Sequence, residues 1–168
     1  MWMVRADQGG RRFDEFKEKS VVAIGWKQIG SVAGLASREA IVAKMLDQWP
    51  DWHKQKIALC AGQVFRFSFE IEKGDRVLTY DPSRRVYLVG TIEGDYEFSD
   101  GLVGDLSNVR RVKWDDEVSR DLLSVSSKNV LGAISTLFVL TSEAAEDVEH
   151  ALAGKPGPEA TDQTAQST

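Results

Sequence analysis

The sequence contains few of the residues that build disulfides, zinc sites and histidine-based catalysis. Among its 168 residues there is one cysteine, Cys60, and there are two histidines, His53 and His150. A single cysteine excludes a disulfide within the chain, and three such side chains supply too few sulfur and nitrogen ligands for a zinc site. We therefore expect no metal site.

Long apolar runs are also missing. No stretch approaches the roughly 18 consecutive apolar residues that span a bilayer. The N-terminal segment MWMVRADQGG lacks the charged start and the long apolar core of a secretion signal. These absences predict a cytoplasmic protein with no membrane partner.

The common sequence signatures of catalysis and nucleotide binding are absent as well. There is no GxSxG around a serine, no GxGxxG and no GxxxxGK[ST], so a bound nucleotide cofactor has no support. Glu15 and Lys17 form an acid-x-lysine pair, but they fall in an amphipathic segment where charges normally face solvent. Three consecutive acids at 115–117 follow a predicted strand and favour an exposed turn. We expect no cofactor and no catalytic residue, and a binding domain rather than an enzyme.

The negative charge is concentrated at the C-terminal end. The chain has a net charge of -5, with 21 lysines and arginines against 26 aspartates and glutamates. Six of the acids and only one of the basic residues, Lys155, lie between Glu143 and Thr168. Residues 1–142 are therefore neutral overall. A nucleic-acid partner, which needs basic side chains for its phosphates, remains compatible with this part of the chain.

Short strands and helices alternate along the neutral part. Strands are predicted from the apolar runs WMVRA, VVAIGW, DRVLTY, VYLVGTIEGDYEF, NVRRVKW and TLFVL. Residues 11–20 favour a short helix with Phe13 and Phe16 facing inward, and Ser37 can cap a second helix that runs to about Gln48. Residues 57–71 fit either a strand or a helix by spacing alone. The order predicts one mixed α+β domain with a small curled sheet or barrel.

The composition changes near the C-terminus. Residues 142–153 contain good helix formers, with Ser142 as the candidate N-cap and Gly154 as the stop. Residues 154–168 contain no large apolar side chain and predict a disordered tail or an interdomain linker.

Aromatic and basic residues suggest where a ligand would bind. The sequence has five tryptophans, and Trp26 ends a buried strand where a polar loop begins, a position that suits either core packing or a pocket wall. The predicted hairpin tip from Tyr80 to Arg85 combines an aromatic ring, a carboxylate and two arginines, which together can hold a base and its phosphates. A plain β-turn with solvated arginines explains the same segment.

Several segments, taken in order, resemble a known family. They are WMVRADQGG, VVAIGW, EIEKGDRVLTYDPSRRVYLVGTIEGDYEF, NVRRVKW and SRDLLSVSSKNVLGAISTLFVL. Their order is similar to the EVE-like branch of the PUA superfamily, in particular to the N-terminal domain of Mrr-like, modification-dependent (type IV) restriction endonucleases. The resemblance covers residues 2–141 and implies a small twisted β-barrel flanked by helices, related to EVE, YTH and ASCH domains. It also implies a helix over most of residues 57–69.

The resemblance further implies which residues form the site. In such domains an aromatic cage holds a modified base. Trp26 would form one wall, Tyr80, Asp81 and Ser83 would line the pocket, and Trp2 would join them from the first strand. The residues implied for the rim or for phosphate contacts are Arg5, Gln8, Gly9, Arg84 and Arg85.

The function that we expect is therefore that of a DNA-binding reader domain. It would flip a modified base, such as 5-methyl- or 5-hydroxymethylcytosine, out of double-stranded DNA and stack it on Trp26 and Tyr80. Asp81 would bond the edge of the base. The domain would serve a modification-dependent restriction system, with the linker leading to a separate nuclease domain. A modified-RNA binder similar to YTH domains is the alternative, and a protein-interaction module is a third hypothesis.

Overall fold

The structure is a computed structural model that describes residues 1–35 and 37–154. The predicted linker, residues 154–168, lies outside the described residues except for Gly154. None of the described helices is both long and apolar enough to cross a bilayer.

The described residues form seven strands in one sheet. The strands are β1 (Trp2–Val4), β2 (Val21–Ile24), β3 (Arg76–Asp81), β4 (Val86–Ile92), β5 (Glu97–Val103), β6 (Leu106–Ser119) and β7 (Leu137–Val139). Their order across the sheet is β2-β6-β4-β3-β1-β7, and β5 pairs with β6 beside that path. All pairs are antiparallel except β1 with β3, which is parallel.

In the described part of the chain, five α-helices flank this sheet. They are α1 (Phe13–Lys19), α2 (Arg38–Gln48), α3 (Lys54–Phe65), α4 (Val125–Leu131) and α5 (Ser142–Leu152). A π-helical turn, Arg66–Glu70, continues α3. The observed architecture is thus mixed α+β with a curled half-barrel sheet, which confirms the predicted class at that level.

The long strand β6 produces the curl. Its first part pairs with β2 and β5, and its second part pairs with β4. The register between β4 and β6 shifts between Val89 and Gly90, and such a bulge bends and twists a strand. A Cβ at Gly90 would overlap the Lys113 carbonyl and lie 2.9 Å from the Trp114 Cα, so the bulge requires glycine. The curl brings β1 into contact with β2.

Alternation along the strands supplies one core on each face of the sheet. Val4, Val77 and Leu88 face one cluster, which also holds the inner faces of α1, α2 and α3. Met3 and Leu78, the neighbours of Val4 and Val77, face the second cluster, which α4 and α5 cover.

Most predicted elements are present with small shifts. Phe13 and Phe16 of α1 are buried as predicted, and the Ser37 hydroxyl accepts a hydrogen bond from the Ala40 amide at the start of α2. Helix α3 and its π-helical turn span the ambiguous segment, so the helical alternative is correct.

Three local predictions are wrong. The segment predicted as one strand after the hairpin turn is β4 followed by β5, because a turn separates Ile92 from Glu97. The acids at 115–117 lie inside β6 rather than in a turn, since the strand continues to Ser119. The N-cap of α5 is Thr141, whose side chain accepts from the Ala144 amide, instead of Ser142.

Candidate functional site

A cleft of about 730 Å³ lies where three strands end. Residues 5–10 follow β1, residues 23–26 end β2, and Tyr80 is near the end of β3, and all of them contribute to the wall. Because β1 and β3 are parallel and β1 lies against β2, these segments, far apart in sequence, meet at one edge of the half-barrel. The β3–β4 hairpin, the two ends of β6 and the loop after α4 complete the wall.

The segment after β1 approaches the β3–β4 hairpin closely. Asp7 accepts hydrogen bonds from the Gln8 amide and from Arg11, which fixes the turn Gln8–Gly10. A Cβ at Gly10 would lie 2.6 Å from the Pro82 Cδ and 3.0 Å from the Tyr80 carbonyl oxygen. Only glycine fits there, so this contact sets the width of the cleft on that side.

Aromatic rings form two parts of the wall. Tyr80 and Tyr87 are cross-strand partners in the hairpin, and their rings stack with centroids 4.5 Å apart. Tyr87 is buried and Tyr80 is partly exposed. Burial raises the pKa of Tyr87 to about 12, and Tyr80 adds to the rise while Arg120 opposes it. The half-buried Trp26 lies on another part of the wall.

The Trp26 side chain also contacts α3. Burial raises the pKa of the Cys60 thiol, and the charge of Lys56 and a hydrogen bond with the Trp26 side chain oppose part of that rise. Trp26 and Cys60 of α3 both pack against the first core cluster. Of the two roles that the sequence left open for Trp26, the structure shows both, since the side chain packs against the first core cluster and also lines the cleft.

Backbone strain is concentrated around the cleft. Among the described residues, four that are not glycine have a positive φ: Asp7, Ser20, Trp26 and Arg85. Three of them, all except Ser20, line the cleft. Trp26 has φ 64° and ψ 36°, a left-handed conformation that a bulky side chain rarely adopts. Residues held in such conformations cluster at functional sites, which supports a functional role for this wall.

Three arginines surround the tyrosines. Arg120 lowers the pKa of Tyr87 and so opposes part of the rise caused by burial. Arg85 pairs with Asp121 at 2.7 Å between Nη2 and Oδ1. The Arg5 side chain instead donates to the carbonyl groups of Leu131 and Ala133. Burial lowers the pKa of Arg5. The cleft therefore combines flat rings with cations, an arrangement that can hold an aromatic ligand with a negatively charged attachment.

Six of the ten residues implied by the resemblance lie on this wall. They are Arg5, Gln8, Gly9, Trp26, Tyr80 and Arg85. The structure does not bring the other four to the cleft.

Asp81 and Ser83 stabilise the hairpin turn. One Asp81 carboxylate oxygen accepts from the amide and the hydroxyl of Ser83, and the other accepts from Arg84 at 2.9 Å. Burial tends to raise the pKa of Asp81, but these hydrogen bonds outweigh it and the net pKa is lowered. Both oxygens are thus engaged within the turn, and Asp81 does not line the cleft.

Trp2 and Arg84 also have structural partners elsewhere. The Trp2 indole donates to Asp75 at 3.1 Å and packs on the first core cluster. Arg84 contacts Glu117 and lies over the Phe13 ring at 5.4 Å, on the outside of the half-barrel. Neither side chain lines the cleft.

Among the parts of the wall that sequence reasoning missed are two polar side chains and one loop. Tyr87 could have been found, because a four-residue turn over 82–85 pairs it with Tyr80. Arg120 follows β6 and carries no local signal. The loop after α4, which brings Ile134 and Thr136 to the cleft, has no polar motif either. Between residues 1 and 154, Ala36 aside, no cluster of three or more histidine, cysteine or acidic side chains is placed to hold a metal ion.

Comparison with known proteins gives a family but no activity. No curated protein matches the chain. A family model described as "Domain of unknown function (DUF8426)" matches residues 2–140, and the chain belongs to that family.

Proposed function

We propose that this chain is a reader domain that binds a modified base of double-stranded DNA in the cleft at the strand ends. The observation that carries the proposal is the cleft itself, in which Trp26 and the Tyr80–Tyr87 stack face a space of about 730 Å³ next to Arg85 and Arg120. A base has flat faces that stack on such rings and a phosphate backbone that such cations attract.

The energies are compatible with base flipping. Stacking on aromatic side chains stabilises a bound base by about 1 to 3 kcal/mol. Extracting a base from the duplex costs a few kcal/mol. Two aromatic surfaces together offset that cost, and the fit of the cleft around the base then discriminates a modified cytosine from a plain one.

The polar contacts differ from those that the resemblance implies. The Asp81 carboxylate is engaged in its turn, so Gln8 makes the hydrogen bonds to the edge of the base. The Gln8 side chain is exposed on the wall, and its amide both donates and accepts hydrogen bonds. Arg85 and Arg120 bind the phosphates of the DNA backbone. Arg5 positions the neighbouring loop through its carbonyl bonds rather than binding a phosphate.

We further assign the curled sheet to the PUA-like class and the chain to a modification-dependent restriction system in the cytoplasm. The half-barrel with flanking helices, the site at its edge and a segment order that resembles EVE-like domains support this assignment. In this proposal the domain itself does not cleave DNA, and cleavage belongs to a nuclease domain linked to it.

The test is binding to duplexes that differ in one central base. Plain cytosine, 5-methylcytosine and 5-hydroxymethylcytosine duplexes, with a 6-methyladenine duplex alongside, are titrated at one fixed salt concentration. We expect preference for a modified cytosine. Trp26→Ala should reduce the affinity for that duplex to the level of the plain one, because a wall of the cleft is lost.

The matched control is Trp52→Ala. Trp52 stacks on Trp49 at 4.3 Å between α2 and α3, away from the cleft, so its loss should leave discrimination intact. Circular dichroism of each variant checks the fold. Unchanged discrimination in Trp26→Ala would refute the role of this wall. Preference for a modified single-stranded RNA over every duplex would replace DNA by RNA as the ligand, and no nucleic-acid binding would refute the proposal.

A further inference from the structure

One large apolar side chain is almost fully exposed, and it lies at the cleft. Ile134 is 96% exposed, the most exposed large apolar side chain in the described part of the chain, and it contributes to the cleft wall. Single exposed apolar residues on loops are common. This one differs because it lies beside the cleft that we propose to hold a flipped base.

The loop that carries Ile134 is anchored on both sides of it. The Arg5 guanidinium donates to the carbonyls of Leu131 and Ala133, and the Arg5 amide donates to the Thr136 carbonyl at 2.9 Å. The Arg5 side chain also lies over the Phe138 ring, 5.9 Å from its centroid. Fixing both flanks of a loop removes much of its freedom, so Ile134 projects from an ordered support rather than from a mobile segment.

We propose that Ile134 enters the base stack and occupies the space that the flipped base leaves. The inference rests on the proposed function. Removing a base exposes the apolar faces of its stacking neighbours and the unpaired partner base to water, and an inserted apolar side chain covers those faces. The insertion also buries the Ile134 side chain itself, which the free protein leaves in water.

The arrangement of the rim fits this role. Ile134 and the stacking residues Trp26 and Tyr80 belong to one cleft, so a single approach to the duplex places a hydrophobic side chain at the gap and aromatic rings at the base. Arg85 and Arg120 lie on the same wall and attract the backbone that flanks both.

The experiment compares duplex and single-stranded ligands that carry the same modified base. A single strand needs no gap to be filled, so an inserted side chain matters only for the duplex. For Ile134→Ser we expect about a tenfold loss of affinity for a duplex with one central 5-methyl- or 5-hydroxymethylcytosine, whichever the wild type prefers. Affinity for the corresponding single strand should remain within about twofold.

Two further variants separate insertion from general effects. Ile134→Leu keeps an apolar side chain of similar volume and should bind the duplex like the wild type. Leu59→Ser removes a 61% exposed leucine of α3 outside the cleft and should change neither ligand's affinity.

The possible failures are distinguishable. If the wild type prefers a modified duplex but Ile134→Ser binds duplex and single strand as the wild type does, insertion is wrong and the reader function stands. An equal loss for both ligands would make Ile134 part of the pocket instead, which also overturns insertion. If the wild type binds no modified base, the proposed function fails and this inference fails with it.

Discussion

Two regions of the molecule use arginine in different ways. Arg110 of β6 is 2% exposed, and its guanidinium donates to the carbonyls of Phe67, Ile71 and Gly94. It thereby ties the π-helical turn and the turn before β5 to the sheet. In the cleft, Arg85 is exposed and Arg120 is partly exposed, and both stand next to the stacked tyrosines.

The comparison shows which cations remain available to a ligand. A buried guanidinium whose N–H groups donate to carbonyl groups stabilises the fold, and it is not available to bind a ligand. Burial lowers the pKa of Arg110, and the nearby charges of Asp95 and Asp75 partly oppose it. Backbone strain is concentrated at the cleft, since three of the four described non-glycine residues with positive φ line it.

The largest effect is expected where the buried arginine is removed. Arg110→Met leaves three carbonyl groups without their donor, and we expect a loss of about 4 kcal/mol in the free energy of unfolding. Urea unfolding monitored by circular dichroism measures it. The affinity of the folded fraction for DNA should be unchanged.

Arg111→Met is the matched control for that change. Arg111 is the next residue of β6 and makes an exposed ion pair with Glu97 at 2.8 Å, so its loss should cost less than about 1 kcal/mol. If both variants lost the same free energy of unfolding, the buried arginine would not stabilise the fold more than the exposed one.

An intermediate effect is expected at the narrow side of the cleft. Gly10→Ala places a Cβ 2.6 Å from the Pro82 Cδ in a left-handed conformation, and we expect a loss of about 3 kcal/mol. Gly9→Ala has a similar φ but no heavy atom within 4 Å of the new Cβ, so it should lose only about 1 kcal/mol. The difference between the unfolding free energies of the two variants measures the cost of the contact between the new Cβ at position 10 and the hairpin. Equal losses would mean that the hairpin moves aside and that Gly10 does not set the width of the cleft.

Much of the fold is readable from the sequence because the signals are local. Phe13 and Phe16 at helical spacing, Ser37 as an N-cap and the apolar alternation of β3 and β4 each act within a few residues. The end of β6 is not readable in this way. Its acids at 115–117 have poor strand propensity, and pairing with β4, a tertiary contact, keeps them extended.

The site was predictable only in part, for the same reason. Trp26 and Tyr80 stand at strand ends, where ligand-binding residues often lie, and both reach the cleft. Asp81 stands beside Tyr80 but its carboxylate caps the turn, because the next residues offer donors at short range. Arg120 and Ile134 reach the cleft through the path of β6 and of the loop after α4, which no local pattern encodes.

The smallest effect on stability separates strain in the cleft from strain outside it. Ser20 ends α1 in a left-handed conformation with φ 56°, and Arg85 has φ 57° in the hairpin turn. Ser20→Gly should raise the free energy of unfolding by about 0.5 to 1 kcal/mol, because glycine adopts that conformation without strain. Arg85→Gly relieves the same strain but loses the ion pair with Asp121, so its gain in stability should be smaller.

In DNA binding, Arg85→Gly should show the larger change from the wild type, whereas in stability Ser20→Gly should. Ser20 lies outside the cleft, so Ser20→Gly should bind DNA like the wild type. Arg85→Gly should weaken all duplexes alike and reduce the salt dependence of binding by about one unit of slope, as expected when one phosphate contact is lost. Titrations at several salt concentrations measure both quantities. An unchanged slope in Arg85→Gly would show that the strained arginine does not contact the backbone, and the phosphate contacts would then fall to Arg120 alone.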